Sequence, residues 1–315
     1  MASNENELLK KLKSHFIPHP ELLVGPGDDC AITKPPAAGK HLVLKTDAVV
    51  EGIHFSSSDS ATRVGRKALA RCISDFAAMA ANPRHALITL GLPETKEDDW
   101  VLDLYRGMGD LAAQFAISIA GGEITATEKG DTFISVCLTG DIPEGGAITR
   151  SNARPGDAIF VSGRLGGSLL GRHLDFVPRL EEGLWIAENH EVHAMMDLSD
   201  GLATDLQRLL TQSGVGAELR AGSIPIHPDA KARHRDSTSC PPPLAAALSD
   251  GEDYELIMVV PSSSAVILLD GWKNRFPETP ITCIGKILKE PGLLIRDDKG
   301  VKPLQSHGYV HFQKS

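Results

Sequence analysis

Carboxylates close or interrupt apolar runs at six places in this chain, each time beside Gly, Ser or Thr. The set is Gly25-Pro26-Gly27-Asp28-Asp29, Lys45-Thr46-Asp47, Ser74-Asp75, Gly121-Gly122-Glu123, Asp197-Leu198-Ser199-Asp200-Gly201 and Gly251-Glu252-Asp253-Tyr254. Carboxylate oxygens are the ligands that hard divalent cations take, and glycines let a backbone approach a bound anion. One such cluster would mean little, since Asp and Gly are ordinary turn formers. Six of them point to divalent cations held against polyphosphate.

Every cluster also has a plain structural reading. Asp29 is either a metal ligand or part of a solvated β-turn. Asp47, inside a largely apolar stretch, is either metal-bound or paired with Lys45, because an unpaired buried charge is costly. His54, between Ile53 and Phe55, is a core histidine or a substrate contact. Asp75 stands three residues after Cys72 and four before Met79, at the edge of an apolar helical stripe, where a carboxylate wants a cation. Gly121 and Gly122 either admit a phosphate or simply end a strand, and Arg150 is a phosphate clamp or a surface arginine. Ser199 or Asp200 caps a helix, or the same turn aims free N–H groups at a phosphate. The pair Asp197 and Asp200 tilts that segment towards metal. Glu252 and Asp253 are candidate substrate contacts, and Trp185, Tyr309 and Phe312 either stack on a heteroaromatic ring or pack.

Other chemistries have no foothold. The chain lacks a G-x-x-x-x-G-K-[ST] loop, a G-x-G-x-x-G opening a helix, an H-E-x-x-H and a G-x-S-x-G elbow. The five cysteines are scattered and never form C-x-x-C, which reads as reduced thiols in a cytoplasmic protein. Net charge is −9 with no long basic run, arguing against nucleic acid. Met1–Phe16 is polar and Lys-rich, unlike a signal peptide, and no apolar stretch reaches the ~20 residues of a membrane span.

The elements that must position these residues are mixed α and β. β-Branched runs predict strands at His41–Leu44, Ala86–Leu92, Ala116–Ala120, Thr132–Leu138, Ala158–Val161, Ala194–Met196, Glu255–Val260 and Ile281–Ile287. Apolar periodicity predicts helices at Thr62–Ala81, Asp98–Phe115 and Gly201–Ser213. At 315 residues, two domains of roughly 150 residues are expected. Asp141–Gly146 is the boundary, giving domains 1–142 and 143–315, and proline-rich Ser223–Pro243 reads as a loop. The fold class is α/β (α+β), two mixed domains.

In chain order the segments resemble the thiamine-monophosphate kinase family, within the superfamily of aminoimidazole ribonucleotide synthetase and selenophosphate synthetase. The resemblance rests on Gly27–Ala31, Thr46-Asp47 with Glu51–Phe55, Ser74–Pro83, Gly121–Glu123, Thr149–Ser151 with Pro155–Asp157, Asp197–Leu202 and Gly251–Leu256. Glu-Gly-x-His-Phe and Gly-Glu-Asp-Tyr-Glu-Leu are its most specific parts. It implies Mg²⁺ ligation by Asp29, Thr46, Asp47, Asp75, Asp197 and Asp200, with Glu123 where the family usually has Asp. It implies ATP contacts from Tyr105, Gly121, Gly122, Arg150 and Ser199, and it places with them Lys45, at a position often held by Ser or Thr. His54, Glu252 and Phe312 would face thiamine monophosphate. Asn152 and Asp250 replace glycines usual in the family.

The implied activity is ATP-dependent phosphorylation of thiamine monophosphate, with several Mg²⁺ ions and Arg150 neutralising charge and no covalent nucleophile. The family also implies a homodimer through the N-terminal domains. Successive apolar positions in Ala86–Leu92 and Thr132–Leu138, as of strands covered on both faces, agree with that. Two rival readings are another ATP-dependent enzyme of the superfamily and a nucleotide-binding regulatory protein with an impaired site, for which Glu123 and Lys45 speak.

Overall fold

The computed structural model describes residues 12, 20–24, 32–128, 130–237 and 239–305. Asp29, Tyr309 and Phe312 lie outside the described residues. Contacts divide the chain into two units, Met1–Phe76 with Ala81–Gly146, and Ala77–Ala80 with Ala147–Ser315.

In the first unit, β1 (Leu22–Val24) and β2 (Ile32–Thr33) form a small antiparallel pair. The main sheet joins β3 (Lys40–Val50), β4 (Asn82–Pro93), β5 (Ser118–Thr127) and β6 (Phe133–Pro143) in the order β3-β6-β4-β5. Helix α1 (Ala61–Met79) links β3 to β4, and α2 (Asp98–Gln114) is the crossover that lets β4 and β5 run parallel. The stripe Val64, Ala68, Cys72 and Phe76 recurs every fourth residue and is buried throughout, with the Cys72 thiol 3.6 Å from the Val136 carbonyl on β6. The helix stops where Ala80 turns to φ 57° and Asn82-Pro83 opens β4. Gly65 and Gly107 let α1 and α2 approach closely, since a Cβ on either would strike a backbone carbonyl of the other helix.

The sheet buries every second residue, Ile134, Val136 and Leu138 on β6 and Ala86, Ile88 and Leu90 on β4. The alternate face carries Leu44 and Leu87, 67% and 41% exposed. Among the described residues these strands are covered on one face, and there the expectation of two covered faces is not met within one copy.

Three further expectations change. The strand expected to end at Leu44 continues to Val50, because β6 pairs with it from Lys40↔Pro143 to Val50↔Phe133. Gly121–Glu123 lies inside β5, held in register by β4, rather than past a strand end. Asp141–Pro143 closes β6 instead of opening a loop, and Asp141 is buried there between Lys40 Nζ and Arg84 Nε, each at 2.7 Å.

The second unit holds β7 (Ala158–Ser162), β8 (Ala194–Asp197), β9 (Gly216–Arg220), β10 (Leu256–Val260), β11 (Ile281–Leu288), β12 (Gly292–Asp297) and β13 (Gly300–Pro303). Their order is β13-β12-β9-β11-β7-β10-β8, with only β9 and β12 parallel. The helices are α3 (Arg172–Asp175), α4 (Leu180–Asn189), α5 (Leu202–Ser213), α6 (Pro228–Asp236), α7 (Pro243–Ser249) and α8 (Ala265–Arg275). Strands β7, β8 and β10 are buried along their whole length. One face packs Ile159, Met196 and Ile257 against Leu202, Leu206 and Leu209 of α5. The segment expected to be a loop, Ser223–Pro243, contains α6, which starts with Pro228 at its first turn and a His227 ring that accepts from Asp229 N. Its weak periodicity hides it from a pattern search. No helix among the described residues is long and apolar enough to cross a membrane.

Candidate active site

Strand alternation decides which candidates in the first unit meet. Lys45 and Asp47 are two apart on β3 and share one face, towards α1. Lys45 Nζ lies 2.8 Å from Asp75 Oδ2, and Arg71 Nη2 lies 3.2 Å from Asp47 Oδ1. Arg71 Nη1 also donates to the Ala48 carbonyl at 3.1 Å. The close partner of Asp47 is thus Arg71, not Lys45. Burial alone would lower the Lys45 ammonium, but Asp75 and then Asp47 outweigh it and hold it above its ordinary value. The same carboxylates, after burial, push the Cys72 thiol up, so it stays protonated.

The loop after β3 is built around His54. Its Nδ1 accepts from Val50 N at 3.1 Å, and the fully buried Lys67 donates to its carbonyl at 2.5 Å. That leaves the Nε2 edge of the ring as the N–H donor.

Other candidates of this unit lie elsewhere. Thr46 and Glu123 sit on the opposite sheet face to Asp47, with β6 and β4 between them, about 14 Å by strand spacing. Glu123 is exposed. Tyr105 belongs to the buried stripe of α2, and burial raises its hydroxyl. Gly122 has a packing reason to be glycine, because a Cβ there would collide with the Ile88 carbonyl of β4.

In the second unit, Asp197 ends β8 as a buried residue, and the turn that follows is tied to Gly251–Glu255. Glu252 N donates to Ser199 O (2.7 Å), Tyr254 N to Leu198 O and Leu198 N to Glu255 O (both 2.8 Å). Glu252 and Tyr254 both adopt φ 51°, rare for residues with a Cβ, and Tyr254 Oη donates to Glu252 Oε1 at 3.2 Å. Phe176 stacks on Tyr254 at 3.9 Å. The segments carrying Asp197, Ser199, Asp200 and Glu252 therefore form one backbone-linked assembly.

Two sequence readings of this turn are corrected. Gly201, not Ser199 or Asp200, is the N-cap of α5, and no side chain caps it. Nor are the turn's N–H groups free for a phosphate, since Asp205 Oδ2 accepts from Ser199 N (3.0 Å) and Asp200 N (2.8 Å). Asp205 is fully buried, burial pushes it up to about 6, and Arg208 bridges it to Asp200. Arg150 sits on a loop pinned by Ser213 Oγ, which donates to its carbonyl at 2.8 Å, and it is half-buried. Trp185 packs edge-on to Trp272 (6.1 Å) and Phe276 (5.6 Å), so it serves a core cluster.

The candidate donor set, carboxylates and a threonine hydroxyl, is the oxygen-only kind that suits Mg²⁺. No group of three His, Cys, Asp or Glu among the described residues could hold a metal ion. In Asp47 and Asp75 two negative charges already face two positive ones.

The chain matches the model of "AIR synthase related protein, N-terminal domain" over residues 27–142 and that of "AIR synthase related protein, C-terminal domain" over residues 138–293. A thiamine-monophosphate kinase of Rhodopirellula baltica is 37% identical over 298 residues, covering 92% of this chain and 91% of that protein. The chain belongs to the thiamine-monophosphate kinase family. Among solved structures, the thiamine-monophosphate kinase of Stenotrophomonas maltophilia K279a superposes with TM-score 0.80 at 30% identity, covering 94% of this chain and 97% of that one. The structure called AaThiL complexed with AMPPCP and TMP gives TM-score 0.76 at 30% identity, covering 89% and 90%.

Membership in this kinase family sharpens the departures. Asn152, at a position where the resemblance implies Gly, sits at φ 98°, a conformation Asn tolerates better than most residues. Asp250, in helical geometry, needs no glycine, and its carboxylate accepts from Gly167 N (2.8 Å) and Arg233 Nη2 (2.7 Å). Sequence reasoning missed Arg71, Lys67, Asp205 and Arg208. Only Asp205 and Arg208 carried a signal, three apart on a helix that follows an Asp-rich turn.

Proposed function

We propose that the chain transfers the γ-phosphoryl group of ATP to the phosphate of thiamine monophosphate, giving thiamine diphosphate and ADP. Full-length likeness to thiamine-monophosphate kinases, including one holding AMPPCP and TMP together, carries this reading. A terminal phosphate oxygen of the acceptor attacks the γ-phosphorus in line, and the β–γ bridging oxygen leaves with ADP. Two polyanions must meet, so the obstacle is charge, and no covalent nucleophile is needed. The candidate Mg²⁺ ligands of the first unit are Asp29, Thr46, Asp47, Asp75 and Glu123, those of the second are Asp197 and Asp200, and the ions they hold would supply positive charge. Arg150 would stabilise the charge of the transferring group, Gly121 and Gly122 are the candidate nucleotide contacts of the first unit and Ser199 that of the second, and Tyr105 serves from within the buried stripe of α2. His54, through Nε2–H, is the candidate acceptor contact of the first unit, and Glu252, steadied by Tyr254, and Phe312 are those of the second.

The functional unit in this reading is a cytoplasmic homodimer. Leu44 and Leu87 are exposed on one sheet face, and Thr46 and Glu123, on that same face, stand on the strands at its opposite edges. A two-fold partner would cover the face with a self-complementary contact. A coupled ADP assay tests the reaction. ADP release should require thiamine monophosphate, and release driven equally by other acceptors of the superfamily would refute it.

A further inference from the structure

The pairing of Lys45 with Asp75 bears on how many metal ions the proposed site takes. Position 45 lies beside Thr46 and Asp47, yet its side chain carries a positive charge where a hydroxyl would offer an oxygen ligand. The pleat fixes Lys45 on the same face as Asp47. Its Nζ lies 2.8 Å from Asp75 Oδ2, while Arg71 Nη2 lies 3.2 Å from Asp47 Oδ1. All four side chains are mostly shielded, with Arg71 13%, Asp47 23%, Asp75 25% and Lys45 30% exposed. In that setting an ammonium and a divalent cation cannot share one carboxylate edge without strong repulsion.

We infer that Lys45 is a resident counter-ion of Asp75, beside the Arg71–Asp47 pair, so that this chain loads one divalent ion fewer than it would with an uncharged residue at position 45. This rests on the Mg²⁺–ATP reading given above. The ammonium performs part of the neutralising work that a metal ion would otherwise do, without needing to be recruited from solution. A nucleotide phosphate reaching this cluster meets Nζ, which suits the placing of Lys45 with the ATP contacts.

Counting bound Mn²⁺ by the EPR signal of the free ion, on the full chain with saturating AMPPCP, tests it. Lys45→Thr should bind one ion more per chain than wild type, and Lys45→Arg should keep the wild-type count. Lys45→Met, which removes the charge without adding a ligand and preserves the packing, should also gain an ion. It decides the matter if Lys45→Thr fails to fold. A gain in Lys45→Thr but none in Lys45→Met would show that only a hydroxyl was missing and overturn the counter-ion role. Equal, non-zero counts in wild type and the uncharged variants would overturn it and leave the Mg²⁺–ATP reading standing. No nucleotide-dependent Mn²⁺ in wild type would overturn both. Melting curves give a second readout. Without metal, Lys45→Met should melt below wild type, and Mn²⁺ with AMPPCP should raise it more than it raises wild type.

Discussion

At Asp75 and Asp47, each bound to a base, the structural and the catalytic roles of a carboxylate can be separated. Both pairs keep some contact with water, so Asp75→Asn or Asp47→Asn should cost about 1 kcal/mol or less of stability. Turnover should fall by about 100-fold or more, the scale of losing one charge-stabilising group. Thermal melts and kcat/KM at saturating Mg²⁺ check the two halves, and near-normal activity would remove these residues from the reaction. Exposed Glu123 offers a finer comparison. Glu123→Asp should keep substantial activity and Glu123→Ala lose most of it, whereas an unaffected Glu123→Ala would make it an ordinary strand residue.

The elements set a different kind of limit. Gly122→Ala would push a methyl into the Ile88 carbonyl and should destabilise the β4–β5 pairing by about 1–3 kcal/mol, read by urea unfolding. If stability is unchanged, the glycine belongs to ligand approach alone. Asp141 stitches β3, β4 and β6 through Lys40 and Arg84. Burial alone would raise its carboxyl, but the hydrogen bonds and charges of Lys40 and Arg84 prevail and lower it. A depressed acid contributes stability above its unfolded value and loses it as pH falls through the folded one. Asp141→Asn should therefore cost about 2 kcal/mol near neutral pH, and the gap to wild type should shrink below about pH 4. A gap independent of pH would contradict the pairing. How legible these elements were followed from their local content. Helices α1, α2 and α5 announce themselves because apolar residues recur at helical spacing. Strand ends did not, since Lys45–Asp47 and Gly121–Glu123 look like punctuation until a partner strand pairs with them. Candidate acids at Asp47, Asp75 and Asp197 were visible as charges in apolar runs. The partners of Asp75 and Asp47, Lys45 and Arg71, came from tertiary packing, and so did the two upstream N–H groups that donate to Asp205.

For the whole molecule, the sheet face on which Leu44 and Leu87 stand exposed among the described residues predicts self-association. Light scattering at micromolar concentration should give about twice the 33.7 kDa chain mass. An active monomer under the same conditions would sink the dimer. Replacing Leu44 or Leu87 by Lys should split it, and the activity should fall with it if the ligand set is completed across the interface. The central claim, phosphoryl transfer from ATP to thiamine monophosphate, is tested most directly by following the reaction of purified protein, ATP, Mg²⁺ and thiamine monophosphate by ³¹P NMR. The account predicts loss of the thiamine monophosphate resonance with growth of the coupled pair of thiamine diphosphate, one diphosphate formed for each ADP. ATP converted to ADP and inorganic phosphate at the same rate with and without thiamine monophosphate would contradict it.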